Sequence, residues 1–106
     1  MNQFSLTSRE EMILITVGVL QPDAYAYGIK KEIKSEAGAS ISLATIHTIL
    51  YRMEKQKLLQ SSMGGSSEKR GGRSKRLYKL TNKGFHTIKE LQTARTSLLL
   101  KFQSGN

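Results

Sequence analysis

The stretch SEKRGGRSKRLYKLT, Ser67 to Thr81, decides how the chain around it folds. It holds six lysines and arginines and one acid around a pair of glycines, and it then runs into apolar residues. Arg76, Tyr78 and Leu80 recur at every second position, which is the spacing of one face of a β-strand. Glycines let the chain turn tightly. The stretch therefore predicts the loop and returning strand of a β-hairpin with strands LLQSSM (58–63) and KRLYKL (75–80).

The segment before this hairpin, SLATIHTILYRMEKQK (42–57), predicts a helix that begins after an N-cap at Ser42. Its apolar residues recur at i, i+3, i+4 and i+7, so one stripe of the helix is expected to be buried. That stripe consists of Ile46, Ile49, Leu50 and Met53. The outer face carries hydroxyls, rings and cations without an acid, and it comprises Thr45, His47, Thr48, Tyr51, Arg52 and Lys55.

Two more helices are predicted upstream, in LTSREEMILITVGVLQP (6–22) and DAYAYGIKKEIKSEAG (23–38). Thr7 or Ser8, with a glutamate three residues later, has the spacing of a capping box. Gly38 is suited to end the second helix. The turn GASIS then leads into the third helix, and a short turn with a glycine is typical of a helix-turn-helix. Three helices followed by a hairpin predict a mainly α (α+β) fold, the winged helix-turn-helix.

In this fold the third helix enters the major groove of DNA and its outer face meets the base edges. A face without carboxylates suits that role, because carboxylates would repel phosphate. The predicted base-reading residues are Thr45, His47, Thr48, Tyr51 and Arg52. An ordinary solvent-exposed helix face is the alternative interpretation.

The basic loop of the hairpin is the predicted wing, and its cations would neutralise phosphates. Arginine suits this task because its planar fork can grip a phosphate or enter a narrow minor groove. The predicted wing contacts are Lys69, Arg70, Arg73, Lys75 and Arg76. A flexible solvated loop is the alternative.

Composition agrees with a polyanionic partner. The chain has 106 residues, enough for one domain, and 17 lysines and arginines against 8 acids give a net charge of +9. Without cysteine, disulfides and cysteine metal sites are excluded. Neither histidine, His47 or His86, has a cysteine or a cluster of acids nearby at the spacing that metal ligands usually have. The sequence also contains no nucleophile motif or phosphate-binding loop that would indicate a catalytic site. We expect a non-enzymatic, cytoplasmic protein without a cofactor, secretory segment or membrane span.

The end of the chain, 82–106, predicts a dimerisation helix with a polar tail, after a DNA-binding domain at 1–81. Its seam recurs at spacings of 3 and 4, through Ile88, Leu91, Arg95, Leu98 and Phe102. Arg95 interrupts the apolar seam and could pair with Glu11 or Glu90. A stripe packed only on its own domain is the alternative. The first helix is apolar nearly all round, so it is the expected partner surface in the other subunit.

These motifs resemble the PadR-type transcriptional regulators over about residues 8 to 95. ISLATIHTILYRMEKQKLLQ (41–60) is similar to the family's recognition helix and following strand, and RGGRSKRLYKLTNKG (70–84) to its wing and Leu-Thr-x-x-Gly closure. AYAYGIKKEI (24–33) resembles its opening motif. Many members have Gly-Thr-Leu-Tyr-Pro where this chain has ATIHT (44–48). The resemblance implies a winged helix with a C-terminal dimerisation helix.

The predicted function is a sequence-specific transcriptional regulator, a repressor that binds a pseudo-palindromic operator on double-stranded DNA as a homodimer. A small-molecule inducer is an open possibility. The alternative is a non-catalytic winged-helix adaptor that binds protein or RNA, because one fold serves several functions.

Overall fold

The computed structural model describes residues 6–64 and 75–105 and has the predicted order of elements. The helices are α1 (Ser8–Leu20), α2 (Ala26–Ala37), α3 (Leu43–Lys55) and α4 (Asn82–Gln103). Between α3 and α4, β1 (Leu59–Gly64) and β2 (Lys75–Leu80) pair antiparallel, from Leu59 opposite Leu80 to Gly64 opposite Lys75. Four helices with one two-stranded hairpin confirm the winged-helix prediction.

Side-chain caps define where three of the helices begin. The Thr7 hydroxyl accepts from the Glu10 N–H, and the Glu10 carboxylate accepts from the Thr7 N–H at 2.9 Å, which completes a capping box. The Ser42 hydroxyl accepts from the Thr45 N–H at the start of α3, and the Thr81 hydroxyl accepts from the Gly84 N–H at the start of α4. Gly38 ends α2 with φ +69°, a left-handed conformation that favours glycine.

The start of α2 differs from the prediction. The helix begins at Ala26, so the expected start at Asp23 is wrong by three residues. The preceding segment is extended instead, because the Ala24 carbonyl accepts a 2.8 Å hydrogen bond from the Tyr78 N–H. This bridge fixes the entry of α2 to β2 and so couples the helical part of the fold to the hairpin.

The core lies between α1, α2, α3 and the base of the hairpin. The predicted stripe of α3 is confirmed as buried, with Ile46, Leu50 and Met53 fully inaccessible. Among the described residues, the other large side chains that are fully buried are Ile13, Leu14, Val17, Ile29 and Leu59. Because α3 contributes one face to this core, its position relative to the hairpin is fixed and its other face remains outside.

A close approach joins the start of α4 to the connection between α3 and β1. The Leu58 carbonyl accepts from the Thr81 N–H at 3.1 Å, and the Thr81 hydroxyl donates to the Lys57 carbonyl at 2.6 Å. Gly84 lies so near that a Cβ on it would be 2.2 Å from the Leu58 oxygen. Glycine is therefore required at this point of the predicted Leu-Thr-x-x-Gly closure.

The two halves of α4 have different surroundings. Ile88 and Leu91 pack against the domain, and the Arg95 guanidinium pairs with the buried Glu11 carboxylate of α1 at 2.5 Å. Beyond Arg95, the four large apolar side chains Leu98, Leu99, Leu100 and Phe102 are more than half exposed.

None of the helices in residues 6–64 and 75–105 has the length and apolar character needed to cross a membrane.

Candidate nucleic-acid interface

The outer face of α3 is the central feature of the site. His47, Thr48, Tyr51 and Arg52 are exposed, and Thr45 is half-buried. Tyr51 is 62% exposed although it lies one residue after a fully buried leucine. The helix thus separates an apolar inner face from a polar outer face, which is the arrangement that groove insertion requires.

Both threonine hydroxyls of this face are hydrogen-bonded, Thr45 as an acceptor and Thr48 as a donor. Thr48 donates to the Ala44 carbonyl at 3.0 Å, and Ser42 donates to the Thr45 hydroxyl oxygen at 2.9 Å. Because the Thr48 hydrogen is used within the helix, its oxygen is left as an acceptor for an approaching donor. Exocyclic amino groups of adenine and cytosine are donors of this kind in the major groove.

Tyr51 and Lys55 form a pair one turn apart on the same helix. The Lys55 ammonium lies 5.1 Å from the centroid of the Tyr51 ring, within range of a cation–π contact. The pair places a positive charge beside an exposed phenol. Such a group can contact a phosphate and the edge of the groove together.

Arg52 has a carboxylate partner that lies 42 positions away in the sequence. Its Nη1 donates to Glu10 Oε2 at 2.5 Å, and the Glu10 side chain is only 12% exposed. The Arg52 side chain is half exposed. A groove of about 780 Å³ runs between the start of α1 and α3, next to this ion pair, and Thr45 and Thr48 line its α3 side.

The outer end of the hairpin, where Gly64 pairs with Lys75, carries two of the predicted wing cations. The Lys75 ammonium lies 4.0 Å from the centroid of the Tyr25 ring, in front of α2. Arg76 donates to the Ser61 hydroxyl at 2.9 Å, and Ser61 donates to the Glu54 carboxylate at 2.7 Å. The other predicted wing residues, Lys69, Arg70 and Arg73, lie outside the described residues.

Tyr78 anchors β2 beneath these cations. Burial raises the pKa of the Tyr78 phenol above its usual value, while Arg76 opposes the shift and Glu54 adds to it. The phenol therefore remains neutral over the physiological pH range.

Among the described residues, no group of three or more histidine, aspartate or glutamate side chains comes together as a metal site would require.

Comparison with known proteins agrees with this geometry. The model of the transcriptional regulator PadR-like family matches residues 15–90, which is most of the chain. The chain belongs to the PadR-like family. This confirms the resemblance seen in the sequence. No curated protein matches the chain in sequence.

Solved structures of PadR-like proteins share the fold. A PadR-like transcription factor from Bacteroides fragilis is 26% identical with a TM-score of 0.73, and the match covers 91% of this chain and 87% of that one. A PadR-like regulator from Bacillus cereus is 23% identical with a TM-score of 0.71, covering 92% of both chains. PadR from Bacillus subtilis, solved in complex with operator DNA, is 17% identical with a TM-score of 0.68; the match covers 80% of this chain and 46% of that protein.

Two side chains of this PadR-like domain were not predicted as parts of the site. Glu10 contacts Arg52, and Tyr25 contacts Lys75, so each touches a predicted DNA-contacting residue. The sequence identified Glu10 only as a capping residue. Its second contact joins α1 to α3 across the fold, and no local spacing signals such a contact.

Proposed function

We propose that this protein is a sequence-specific DNA-binding regulator that acts in the cytoplasm as a repressor. The observation that carries the proposal is the two-sided character of α3. Its inner stripe is anchored in the core, while His47, Thr48 and Tyr51 are exposed on the outer side. A rigidly held helix with an exposed polar face fits a major groove that is roughly 12 Å wide.

The side chains of this face offer complementary chemistry to base edges. Threonine and histidine can donate or accept, and arginine can donate two parallel hydrogen bonds to guanine. We assign sequence readout to Thr45, His47, Thr48 and Tyr51, and a base or phosphate contact to Arg52. Contacts to base edges specify the sequence, whereas contacts to phosphate set orientation and affinity.

The wing is assigned to phosphate binding. Lys75 and Arg76 are exposed at the outer end of the hairpin, on the strand that returns from the basic loop. With Lys69, Arg70 and Arg73, they would concentrate positive charge on the wing of a protein whose net charge is +9. Each phosphate neutralised releases counterions, so affinity for any duplex should fall steeply with salt.

The fold shared with the Bacillus subtilis PadR–operator complex supports DNA as the partner. That protein was crystallised on its operator. Because the two proteins are only 17% identical, the likeness supports the mode of docking and gives no information on the operator of this chain.

A homodimer is proposed from the uncovered apolar surface of α4 and α1. Leu98 and Phe102 are 67% and 73% exposed, and Ile15 and Val19 of α1 are 43% and 62% exposed. Side chains of this size lose favourable free energy when they stay in water. A two-fold mate that packs its α4 on α1 and α4 of this chain would cover both sets. Of the predicted seam, Ile88, Leu91 and Arg95 also contact their own domain.

Such a dimer would repress transcription by occlusion if its operator overlaps a promoter, since a protein bound there excludes polymerase. A small-molecule inducer, where one exists, would change the separation of the two α3 helices. A cleft of about 380 Å³ between α1 and α4, lined by Leu14, Ile88 and Arg95 among others, adjoins the proposed dimer seam. A ligand there would act on the surface that sets this separation.

The test is selection of duplexes from a random pool by the full-length protein, followed by sequencing and footprinting. We expect an enriched pseudo-palindrome whose half-sites are centred about 34 Å, one duplex turn, apart or a multiple of it. Recovery of no enriched sequence would refute the proposal. Enrichment of a single half-site with one protein bound would refute the dimer alone.

A further inference from the structure

The carboxylate of Glu10 has two contacts with different consequences. Its Oε1 accepts from the Thr7 N–H at 2.9 Å and completes the capping box of α1, while its Oε2 accepts from Arg52 Nη1 at 2.5 Å. The Thr7 hydroxyl in turn accepts from the Glu10 N–H at 3.1 Å. The Glu10 side chain is therefore fixed by the capping box of α1 independently of its contact with Arg52. It is also largely shielded from water.

Arg52 is more loosely surrounded. It lies near the end of α3, its side chain is half exposed, and its guanidinium has further N–H donors besides the one given to Glu10. A long, exposed arginine normally samples many rotamers, and ordering it on binding costs entropy. A fixed carboxylate that accepts from Nη1 reduces the number of rotamers that Arg52 samples. The other N–H groups of the guanidinium remain free to donate to a ligand.

We infer that Glu10 is a positioning residue for DNA sequence readout, which acts through Arg52. It holds the guanidinium in one orientation on the outer face of α3, and it cancels the charge that would otherwise draw Arg52 to any nearby phosphate. Both effects raise the preference for a cognate sequence over random DNA. The inference rests on the proposed function, because it requires α3 to face the duplex.

Glu10 changes what the Arg52 guanidinium contributes to DNA binding. A free guanidinium acts mainly through its charge, whereas one paired with a carboxylate acts mainly through the direction of its hydrogen bonds. A free guanidinium contributes to non-specific binding with a salt slope of about 0.9 per phosphate neutralised. A guanidinium already paired with a carboxylate contributes little net charge but keeps its directional hydrogen bonds. A directed arginine–base contact discriminates against the wrong base by roughly fivefold to a hundredfold.

The experiment compares full-length wild type with Glu10→Gln, Arg52→Gln and the double variant. A glutamine at position 10 can still accept from the Thr7 N–H, so the capping box is kept while the charge is removed. Glu36→Gln is the matched control, because it makes the same charge change at an exposed position of α2. Affinities are measured by fluorescence anisotropy across salt concentrations, on the duplex enriched from a random pool and on a random duplex of equal length. Circular dichroism melting checks that each variant is folded.

For Glu10→Gln we expect tighter binding to random DNA, a salt slope steeper by about 0.9, and a cognate preference lower by roughly fivefold to a hundredfold. Glu36→Gln should keep the cognate preference of wild type. In the Arg52→Gln background, Glu10→Gln should produce no further change in preference. A purely structural role for Glu10 would lower the melting temperature and leave the slope on random DNA unchanged.

Three outcomes would overturn the inference. The first is a Glu10→Gln variant with the same slope and preference as Glu36→Gln, and the second is an effect of Glu10→Gln that persists without Arg52. In both cases wild type still prefers its enriched duplex, so the proposed function stands. The third is a wild type that prefers no sequence, and this outcome overturns the proposed function and the inference together.

Discussion

Replacing Gly84 by alanine should separate α4 from the connection between α3 and β1. The Cβ of the alanine would be 2.2 Å from the Leu58 carbonyl oxygen, a backbone atom, and 3.2 Å from its carbon. Real Cβ contacts essentially never come below 3.0 Å, so the two segments must move apart by about 0.8 Å. The same oxygen accepts the Thr81 N–H, and the shift would also lengthen that hydrogen bond.

The expected cost follows from these contacts. Overpacking a fixed site costs about 1–3 kcal/mol, and alanine recovers at most about 0.5–1 kcal/mol of this through its better helix propensity. The middle of the two ranges gives a net loss of about 1 kcal/mol. For a domain near this size, that lowers Tm by about 4–8 °C.

Thermal unfolding followed by circular dichroism, at equal protein concentrations, measures this loss. The matched control is Gly18→Ala, also within a helix, where a Cβ would meet only the flexible end of the Leu80 side chain at 3.1 Å. Leu80 can rotate away, so Gly18→Ala should keep or slightly raise Tm. Equal Tm values for Gly84→Ala and wild type would refute the close approach of Gly84 to Leu58.

Three further predictions concern the dimer, the wing and the buried phenol. The double variant Leu98→Glu/Phe102→Glu should sediment as a monomer of 11.9 kDa where wild type sediments as a dimer, and a monomeric wild type would contradict the dimer proposal. Arg70→Ala with Arg73→Ala should weaken binding to every duplex and lower the salt slope by about one for each phosphate that is no longer neutralised; an unchanged slope would show that these residues do not bind DNA. Because burial raises the pKa of Tyr78, its contribution to stability is present below pH about 10 and is lost as pH rises beyond it. Urea unfolding should show this alkaline loss in wild type but less of it in Tyr78→Phe, and identical pH profiles would contradict it.

Local patterns in the sequence predicted most of the fold. The spacing of Ile46, Leu50 and Met53 places all three on one face of α3, and the structure confirms that they are buried. Ser42 was recognisable as a cap because an N-cap acts on backbone groups within the same turn. Such features depend on residues close in sequence, so periodicity and capping rules are sufficient to find them.

Contacts between distant residues could not be predicted in the same way. Arg52 and Glu10 are 42 positions apart, and Ala24 bridges to Tyr78 across even more of the chain. Arg95 had two candidate partners in the sequence, and the structure pairs it with Glu11. Each contact depends on how complete elements pack, which a single sequence without its fold does not specify.

The predicted division at 81/82 and the predicted interface residues stay predictions. The structure brings the α3 residues together on one exposed face and holds Lys75 and Arg76 at the outer end of the hairpin. Residues Ile88, Leu91 and Arg95 contact their own domain, whereas Leu98 and Phe102 are exposed. A partner chain would have to cover the second half of α4 together with Ile15 and Val19 of α1.

We propose that the outer face of α3 reads a DNA sequence. The variant His47→Ala/Thr48→Ala tests this role most directly. Both side chains are exposed, so the fold should tolerate their truncation. The measurement is the affinity of wild type and variant for the enriched duplex and for a random duplex, at one salt concentration. We expect a loss of about 1–3 kcal/mol per base contact removed on the enriched duplex, with binding to random DNA nearly unchanged. Equal losses on both duplexes, or no loss on either, would contradict it.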